Sequence, residues 1–385
     1  MTTTVIWNFP TRILFGETAV DHVGEEARRV GGKRALIVTD EGVANAGLAT
    51  RVQEALREGG IPSSMFEGVS SNPTEAQVKA ATTAFTNAKA DIVVGVGGGS
   101  ALDVAKLVRL CATHDGPLAQ YDDAKGGSSK IVHPLIPMVA LPTTAGTGSE
   151  VGRSAVATLE ETNKKTVFFA PTLIPDVAIL DPQLTLSMPA RTTACTGFDA
   201  LTHCIEALST KMDHPMANAI AMEGIRLIHG HLERAVRDGS DIAARGAMLK
   251  AALMGAVAFQ KGLGACHSLA HPLSAETSMH HGLANALCLP AVVDFNRTTV
   301  QSKLATVAKL LGMRIEDEET LAFECSGVLR SLRAKVGLPD GLAAAGIQSS
   351  MLDKLADLAF EDACHLENPR PCSRDDLLSL YKASL

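Results

Sequence analysis

Twelve histidines occur in this 385-residue chain, and four of them, His267, His271, His280 and His281, crowd into the single stretch CHSLAHPLSAETSMHHG. A fifth, His203, stands four residues after Asp199 in GFDALTHCIEA. Residues i and i+4 share one face of a helix, one turn apart. Asp199 and His203 can therefore offer an oxygen and a nitrogen to the same ion, and His267 and His271 have the same spacing. A single histidine on a helix is ordinarily a core or capping residue. The joint occurrence of D-x-x-x-H, H-x-x-x-H and a further His is what points to a metal. One carboxylate with imidazoles and no thiolate suits Fe²⁺ or Zn²⁺ better than Ca²⁺ or Mg²⁺. Cys204 and Cys266 are left out of the set, because helix neighbours point about 100° apart. By the same reasoning only one of the adjacent pair His280 and His281 reaches an ion that the others bind.

A second kind of chemistry lies upstream. The run Val93-Val94-Gly95-Val96-Gly97-Gly98-Gly99-Ser100 leads from a strand directly into the helix-like ALDVAKLVRL. Glycines there permit close approach of backbone N–H groups to an anion that also meets the positive end of the helix. It is not a literal G-x-G-x-x-G, since Ser100 stands where the third glycine belongs, and a plain strand-to-helix turn is the alternative. A second loop, Thr143-Thr144-Ala145-Gly146-Thr147-Gly148-Ser149-Glu150, adds hydroxyls to glycines, a combination suited to phosphate or ribose. Two such loops after successive strands point to a dinucleotide. Asp40 closes an earlier strand; there it either accepts from adenosine ribose hydroxyls, favouring NAD over NADP, or simply caps a helix. It precedes the glycine loop, whereas the usual acid follows it. No G-x-x-x-x-G-K-[ST] is present, which disfavours a P-loop nucleotidase.

The elements that must position these residues fall into two regimes. Short β-branched runs at 34–39, 91–96, 135–141 and 176–181 alternate with amphipathic stretches at 17–30, 47–59, 74–88 and 101–112, the pattern of βαβ units on a parallel sheet. Beyond about residue 185 the strand signal fades and helical periodicity covers 197–210, 215–236, 241–260, 301–311, 318–335 and 350–360. The turn-rich 181–193 is the expected boundary, giving an α/β domain over 1–185 and an all-helical domain over 186–385. Apolar residues make up 46% of the chain and charged residues 20%, enough for a large core and too little charge for disorder. A net charge of −7, with 14 aromatic residues in all (11 Phe, 2 Tyr, 1 Trp), argues against nucleic acid or an anionic membrane as partner. No apolar run is expected to span a bilayer, and MTTTVIWNFPTRILFG does not read as a signal peptide. Eight scattered cysteines without a CxxC pair suggest buried free thiols in a reducing cytoplasm.

Taken together, GGGSALDVAK, PTTAGTGSEV, GFDALTHCIEA and GLGACHSLAHPLSAETSMHHGLANALCLP resemble the iron-containing (group III) alcohol dehydrogenases, and the similarity runs from RILFG at 12–16 to ENPRP at 367–371. The resemblance implies a Rossmann-like nucleotide-binding α/β domain, a helical metal domain and an active site in the cleft between them. It implies Asp199, His203, His267 and His281 as ligands of one divalent ion, Fe²⁺ favoured and Zn²⁺ possible. His271 would lie one turn further on, near the nicotinamide, as a proton relay or an orienting residue. NAD(H) would be held by Asp40, Gly97, Gly98, Gly99, Ser100, Asp103, Thr143, Thr144, Thr147, Ser149, Val151 and Lys165, with Leu184 packing nearby. This sequence departs from the family in carrying His280 where Pro is frequent, which leaves the choice between His280 and His281 open; the alignment with HG favours His281. The implied activity is reversible hydride transfer between a nicotinamide and a small primary alcohol or aldehyde, in a cytoplasmic homodimer or larger homo-oligomer. Arg153 and Lys261 are candidates to meet an anionic group on the substrate. Two competing readings are a lyase resembling dehydroquinate synthase and a non-catalytic cofactor-binding scaffold.

Overall fold

Continuous apolar runs become strands buried on both faces. The computed structural model describes residue 9 and residues 11–385, so most of the N-terminal stretch read above for a leader lies outside the described residues. Among the described residues eight strands form: β1 (Arg12–Phe15), β2 (Ala35–Asp40), β3 (Ser63–Val69), β4 (Ile92–Gly97), β5 (Met138–Pro142), β6 (Ser154–Thr158), β7 (Lys165–Phe169) and β8 (Val177–Leu180). Six of them build one parallel sheet in the order β1-β8-β5-β4-β2-β3, and β6 pairs with β7 as a separate antiparallel hairpin. The strands foreseen from sequence are the central ones, β2, β4, β5 and β8, which are almost wholly buried. β1 and β3 sit at the sheet's edges and are largely exposed or half-buried, so they lack that apolar signature.

Successive residues of the central strands feed opposite faces of the sheet. Leu36, Val38, Val93 and Met138 join Val78 and Phe85 of helix and Leu102 and Ala105 of another in one core. Ala35, Ile37, Val94 and Val139 join Val23, Val52 and Leu56 in the other. The helices covering the sheet are α1 (Val23–Arg29), α2 (Glu41–Asn45), α3 (Leu48–Glu58), α4 (Glu75–Asn87) and α5 (Gly99–Thr113). Helix α4 opens on a capping box, with Thr74 Oγ1 accepting from the Gln77 N–H and the Gln77 side chain accepting from the Thr74 N–H.

The remainder is helical: α6 (Ala190–Ser209), α7 (Pro215–Arg237), α8 (Ile242–Ala258), α9 (Ala265–Thr277), α10 (His281–Asn296), α11 (Gln301–Leu310), α12 (Glu318–Lys335), α13 (Leu352–Glu361) and α14 (Arg374–Ala383). Helix α6 packs against α7, α8 and α10, and α9 packs against α10 and α13. Of these helices, three escaped the periodicity reading: α9, α10 and α14. The first two are buried on nearly every side and carry an internal proline each, Pro272 and Pro290, so neither shows a polar stripe.

The described chain groups into two compact units, Phe9–Thr144 with Gly148–Ser187, and Ala145–Thr147 with Met188–Leu385. The expectation that no apolar run reaches spanning length needs correction. Ile242–Lys261, which is α8 and the turn after it, has a mean hydropathy of 1.5 and is long and apolar enough to cross a membrane. Its most apolar stretch is 67% buried against the rest of the chain, as befits a core helix. All eight cysteines are free thiols.

Candidate metal centre and dinucleotide loops

Helix α6 holds Asp199 and His203 on one face, and a close-packed neighbour keeps them there. A Cβ on Gly255 of α8 would stand 3.0 Å from His203 Cβ and 3.1 Å from the Ala200 carbonyl oxygen, so α8 reaches α6 with little to spare. Helix α9 contributes His267. Donor atoms of Asp199, His203 and His267, all three side chains buried, lie within 4.8 Å of one another. His203 Nε2 is 3.8 Å from Asp199 Oδ1, and the His203 and His267 rings stack with centroids 4.8 Å apart.

His281, the first residue of α10, brings its Nε2 to 3.6 Å from Asp199 Oδ1. Its neighbour His280 does something else: it is the N-cap of α10, its Nδ1 accepting from the Gly282 N–H at 3.1 Å. The glycine after His281 has a steric reason. A Cβ on Gly282 would lie 2.1 Å from the carbonyl oxygen of Cys195, so only glycine lets the start of α10 rest on α6.

Two residues that the sequence reading missed complete the cluster. Asn285 Nδ2 donates to Asp199 Oδ1 at 2.9 Å and lies 3.2 Å from His281 Nε2 and 3.4 Å from His267 Nε2. Glu206 accepts from two donors: Oε2 meets His267 Nδ1 at 2.5 Å, and Oε1 accepts from the Cys266 N–H at 2.7 Å. Asn285 follows His281 by four residues and Glu206 follows His203 by three, so the same helical spacing that disclosed the ligands would have disclosed both.

Burial and the nearby carboxylates act oppositely on the two buried imidazoles. Burial pushes His203 down to about 4. Burial opposes protonation of His267 as well, yet the carboxylates of Glu206 and Asp199 carry its pKa above the ordinary value. Burial also pushes the thiol of Cys204 up to about 12 and that of Cys195 up to about 11, so neither offers a thiolate.

His271 stands beside this cluster, its ring stacked on that of His281 with centroids 5.2 Å apart. Its Nδ1 meets Asp362 Oδ2 at 2.7 Å. Asp362 Oδ1 accepts from Ser268 Oγ at 2.7 Å and from the Cys364 N–H at 2.9 Å. Burial works to raise the Asp362 pKa, but His271 and these donors hold it well below the usual carboxylate range.

In the sheet unit, Asp40 and the glycine loop meet at the ends of adjacent strands β2 and β4. Asp40 is the N-cap of α2, Oδ1 accepting from the Val43 N–H at 3.0 Å. Gly97 has φ +151°, and a Cβ there would lie 3.2 Å from Asp40 Oδ2 and 2.7 Å from Ala101 Cβ. Gly98 is the N-cap of α5 and supplies no capping side chain, so Gly99 and Ser100 open that helix with N–H groups that no cap covers. Thr143 donates its N–H to the Gly97 carbonyl at 3.0 Å, and a Cβ on Gly98 would stand 3.3 Å from Thr144 Oγ1.

Other nucleotide candidates are engaged within the protein. Ser100 Oγ donates to the Ser71 carbonyl at 2.8 Å. Asp103 accepts from Ser149 Oγ at 2.7 Å and from the Val156 N–H at 3.0 Å. Buried Lys106 donates to Ser149 Oγ and to the Ser154 carbonyl, each at 2.8 Å; burial pushes it down to about 8. Val151 closes a short buried turn, Lys165 begins β7, and Thr147 lies in the stretch Ala145–Thr147 that groups with the helices. Leu184 is fully buried in the sheet core. Lys261 is buried too, Nζ donating to Asn218 Oδ1 at 2.5 Å. Arg153 lies over the Phe169 ring, 5.3 Å from its centroid.

Known proteins resemble the chain in both of its parts. Residues 10–182 match the family described as iron-containing alcohol dehydrogenase, and residues 193–385 match the C-terminal domain of the same family. The 4-hydroxybutyrate dehydrogenase of Cupriavidus necator is 40% identical over 376 residues, covering 95% of this chain and 96% of that protein. The NAD-dependent methanol dehydrogenase of Bacillus methanolicus is 35% identical over 379 residues, covering 98% of each. A crystal structure of 1,3-propanediol oxidoreductase superposes with a TM-score of 0.96 at 36% identity, covering 99% of this chain and 100% of that one. Matched along almost its whole length, this chain belongs to the iron-containing alcohol dehydrogenase family, oxidoreductases that act on alcohols.

Proposed function

We propose that the protein interconverts a small primary alcohol and its aldehyde, using NAD(H) in preference to NADP(H) and one divalent ion held by Asp199, His203, His267 and His281, Fe²⁺ before Zn²⁺. The observation that carries this reading is the convergence of buried carboxylate and imidazole donors within 4.8 Å, free of any thiolate. The donor set fits such an ion: lone pairs from three helices face one region, beside the amide of Asn285. An ion there supplies Lewis acidity toward the alcohol oxygen, and a nicotinamide supplies the hydride acceptor.

The chain's own residues do the positioning. With Oδ1 committed to the helix cap, Asp40 presents Oδ2 to ribose hydroxyls and repels a 2′-phosphate. Gly97–Gly99 leave the backbone and the start of α5 open to a pyrophosphate. His271, with Nδ1 turned to Asp362, keeps Nε2 to take or pass the proton of the alcohol.

Two variants test the reading. H267A is expected to purify without its ion and without activity; full metal content in that variant would overturn the ligand set. D40A is expected to bring the kcat/KM values for NADPH and NADH together, and an unchanged ratio would remove Asp40 from the cofactor site. The relative from C. necator is named for a carboxylated alcohol, so the substrate class includes ω-hydroxy acids. Aldehydes of equal length with and without a terminal carboxylate distinguish the two, and equal rates would remove the carboxylate from the proposal.

A further inference from the structure

Glu206 is buried in α6, and the mechanism above gives it nothing to do. A carboxylate taken out of water is costly unless its oxygens are occupied, and here both are. Oε2 lies 2.5 Å from His267 Nδ1, and Oε1 accepts from the Cys266 N–H at 2.7 Å. One side chain therefore grips both the ring of His267 and the first turn of the helix that carries it. The start of α9 is shaped around this grip. A Cβ on Gly264 would stand 2.9 Å from Glu206 Oε1 and 2.9 Å from Asn368 Oδ1, and Asn368 Oδ1 accepts from the Ala265 N–H at 3.2 Å.

We infer that Glu206 is a positioning residue for the metal centre, holding His267 in the tautomer and orientation that aim Nε2 at the ion. The inference rests on the proposed ligand set. An imidazole binds a metal through a nitrogen that carries no proton, and the partner of its other nitrogen decides which nitrogen that is. Glu206 accepts only, so Nδ1 keeps the hydrogen and Nε2 keeps its lone pair. A glutamine at 206 that still accepts from the Cys266 N–H turns its amide hydrogens on Nδ1. That forces the ring's proton onto Nε2, where the ion belongs. Loss of such an outer partner typically weakens metal binding about 10- to 100-fold.

The test titrates Co²⁺ into metal-free wild type, E206Q, H267A and N368A, reading the dissociation constant by calorimetry and the visible absorption of the bound cobalt. We expect one ion per chain in E206Q with a dissociation constant raised about 10- to 100-fold, a displaced cobalt band, and activity that recovers at excess metal. N368A removes the neighbouring cap of α9 without touching His267; it is expected to melt at lower temperature while binding cobalt as wild type does. The inference is overturned if E206Q binds cobalt with wild-type affinity and spectrum, or if N368A weakens binding as much as E206Q. If H267A itself binds cobalt normally, the ligand set fails instead, so the two failures are separable. Should E206Q not yield folded protein, G264A is read against N368A: its methyl would stand 2.9 Å from both Glu206 Oε1 and Asn368 Oδ1, so cobalt binding weakened beyond that of N368A supports the inference and binding equal to that of N368A overturns it.

Discussion

Gly282 is the residue on which the fourth candidate ligand depends. Its hydrogen faces the Cys195 carbonyl where a methyl would stand only 2.1 Å away, so G282A must push the start of α10 off α6 and withdraw His281. We expect a stability loss of about 1–3 kcal/mol from overpacking and lowered metal occupancy; denaturant unfolding and metal analysis check both. Asp362 makes a prediction about pH. Its pKa is depressed in the folded state, so its stabilisation is present above the unfolded carboxylate value and is lost as pH falls through the folded one. Replacement by asparagine therefore costs stability near pH 7, about 1–3 kcal/mol for a buried charged partner. The gap from wild type closes only in strongly acidic solution, which urea melts at pH 7 and pH 3 compare. At this scale the ligands themselves were readable, because D-x-x-x-H fixes two donors on one helix face. Glu206 and Asn285 have equally regular spacing, but they serve the ligands and offer nothing directly to an ion. Asp40 was left between ribose and cap, and one of its oxygens does cap α2. Leu184 is a core residue, and no local pattern separates a core leucine from one beside a cofactor.

Among the elements, what was visible in sequence follows from how unevenly each is buried. Helices α3 and α4 pair an apolar face with a wet one, and periodicity found them. Helices α9 and α10, which carry His267 and His281, are enclosed, and enclosure erases the contrast on which periodicity relies. The strands divide the same way: β2, β4, β5 and β8 are interior and continuously apolar, while β3 reads SSMFEGV and lies at an edge. Caps are more local and easier to test. Thr74 accepts from the Gln77 N–H in the capping box of α4, so T74A should cost about 1 kcal/mol. It should leave cofactor and metal affinity untouched, since α4 carries none of the candidate residues; thermal melts beside a metal titration read the contrast.

Over the whole molecule, the two candidate sites are built in different units, the metal donors among the helices and most of the nucleotide residues on the sheet. An ion that binds only the folded helices stabilises them by mass action, by about 2.7 kcal/mol when its free concentration is a hundred times the dissociation constant. Chelation should accordingly lower the melting temperature, and a metal-free sample whose melting is indifferent to added Co²⁺ or Zn²⁺ would count against a bound ion. Fold class and the order of domains were evident from alternation giving way to helices. The hairpin of β6 and β7 was not, because Asp103 and Lys106, far away in sequence, tie it down through hydrogen bonds to the Val156 N–H and the Ser154 carbonyl.

The neighbours of the apolar stretch Ile242–Lys261 cover most of it. Heat that parts those neighbours lays bare a greasy rod about as long as a bilayer is thick. Such surfaces find one another faster than they find their way home. Warmed protein should cloud and fail to regain activity on cooling, with an apparent midpoint that climbs at faster heating rates, and a mild detergent present during heating should rescue part of the catalytic yield.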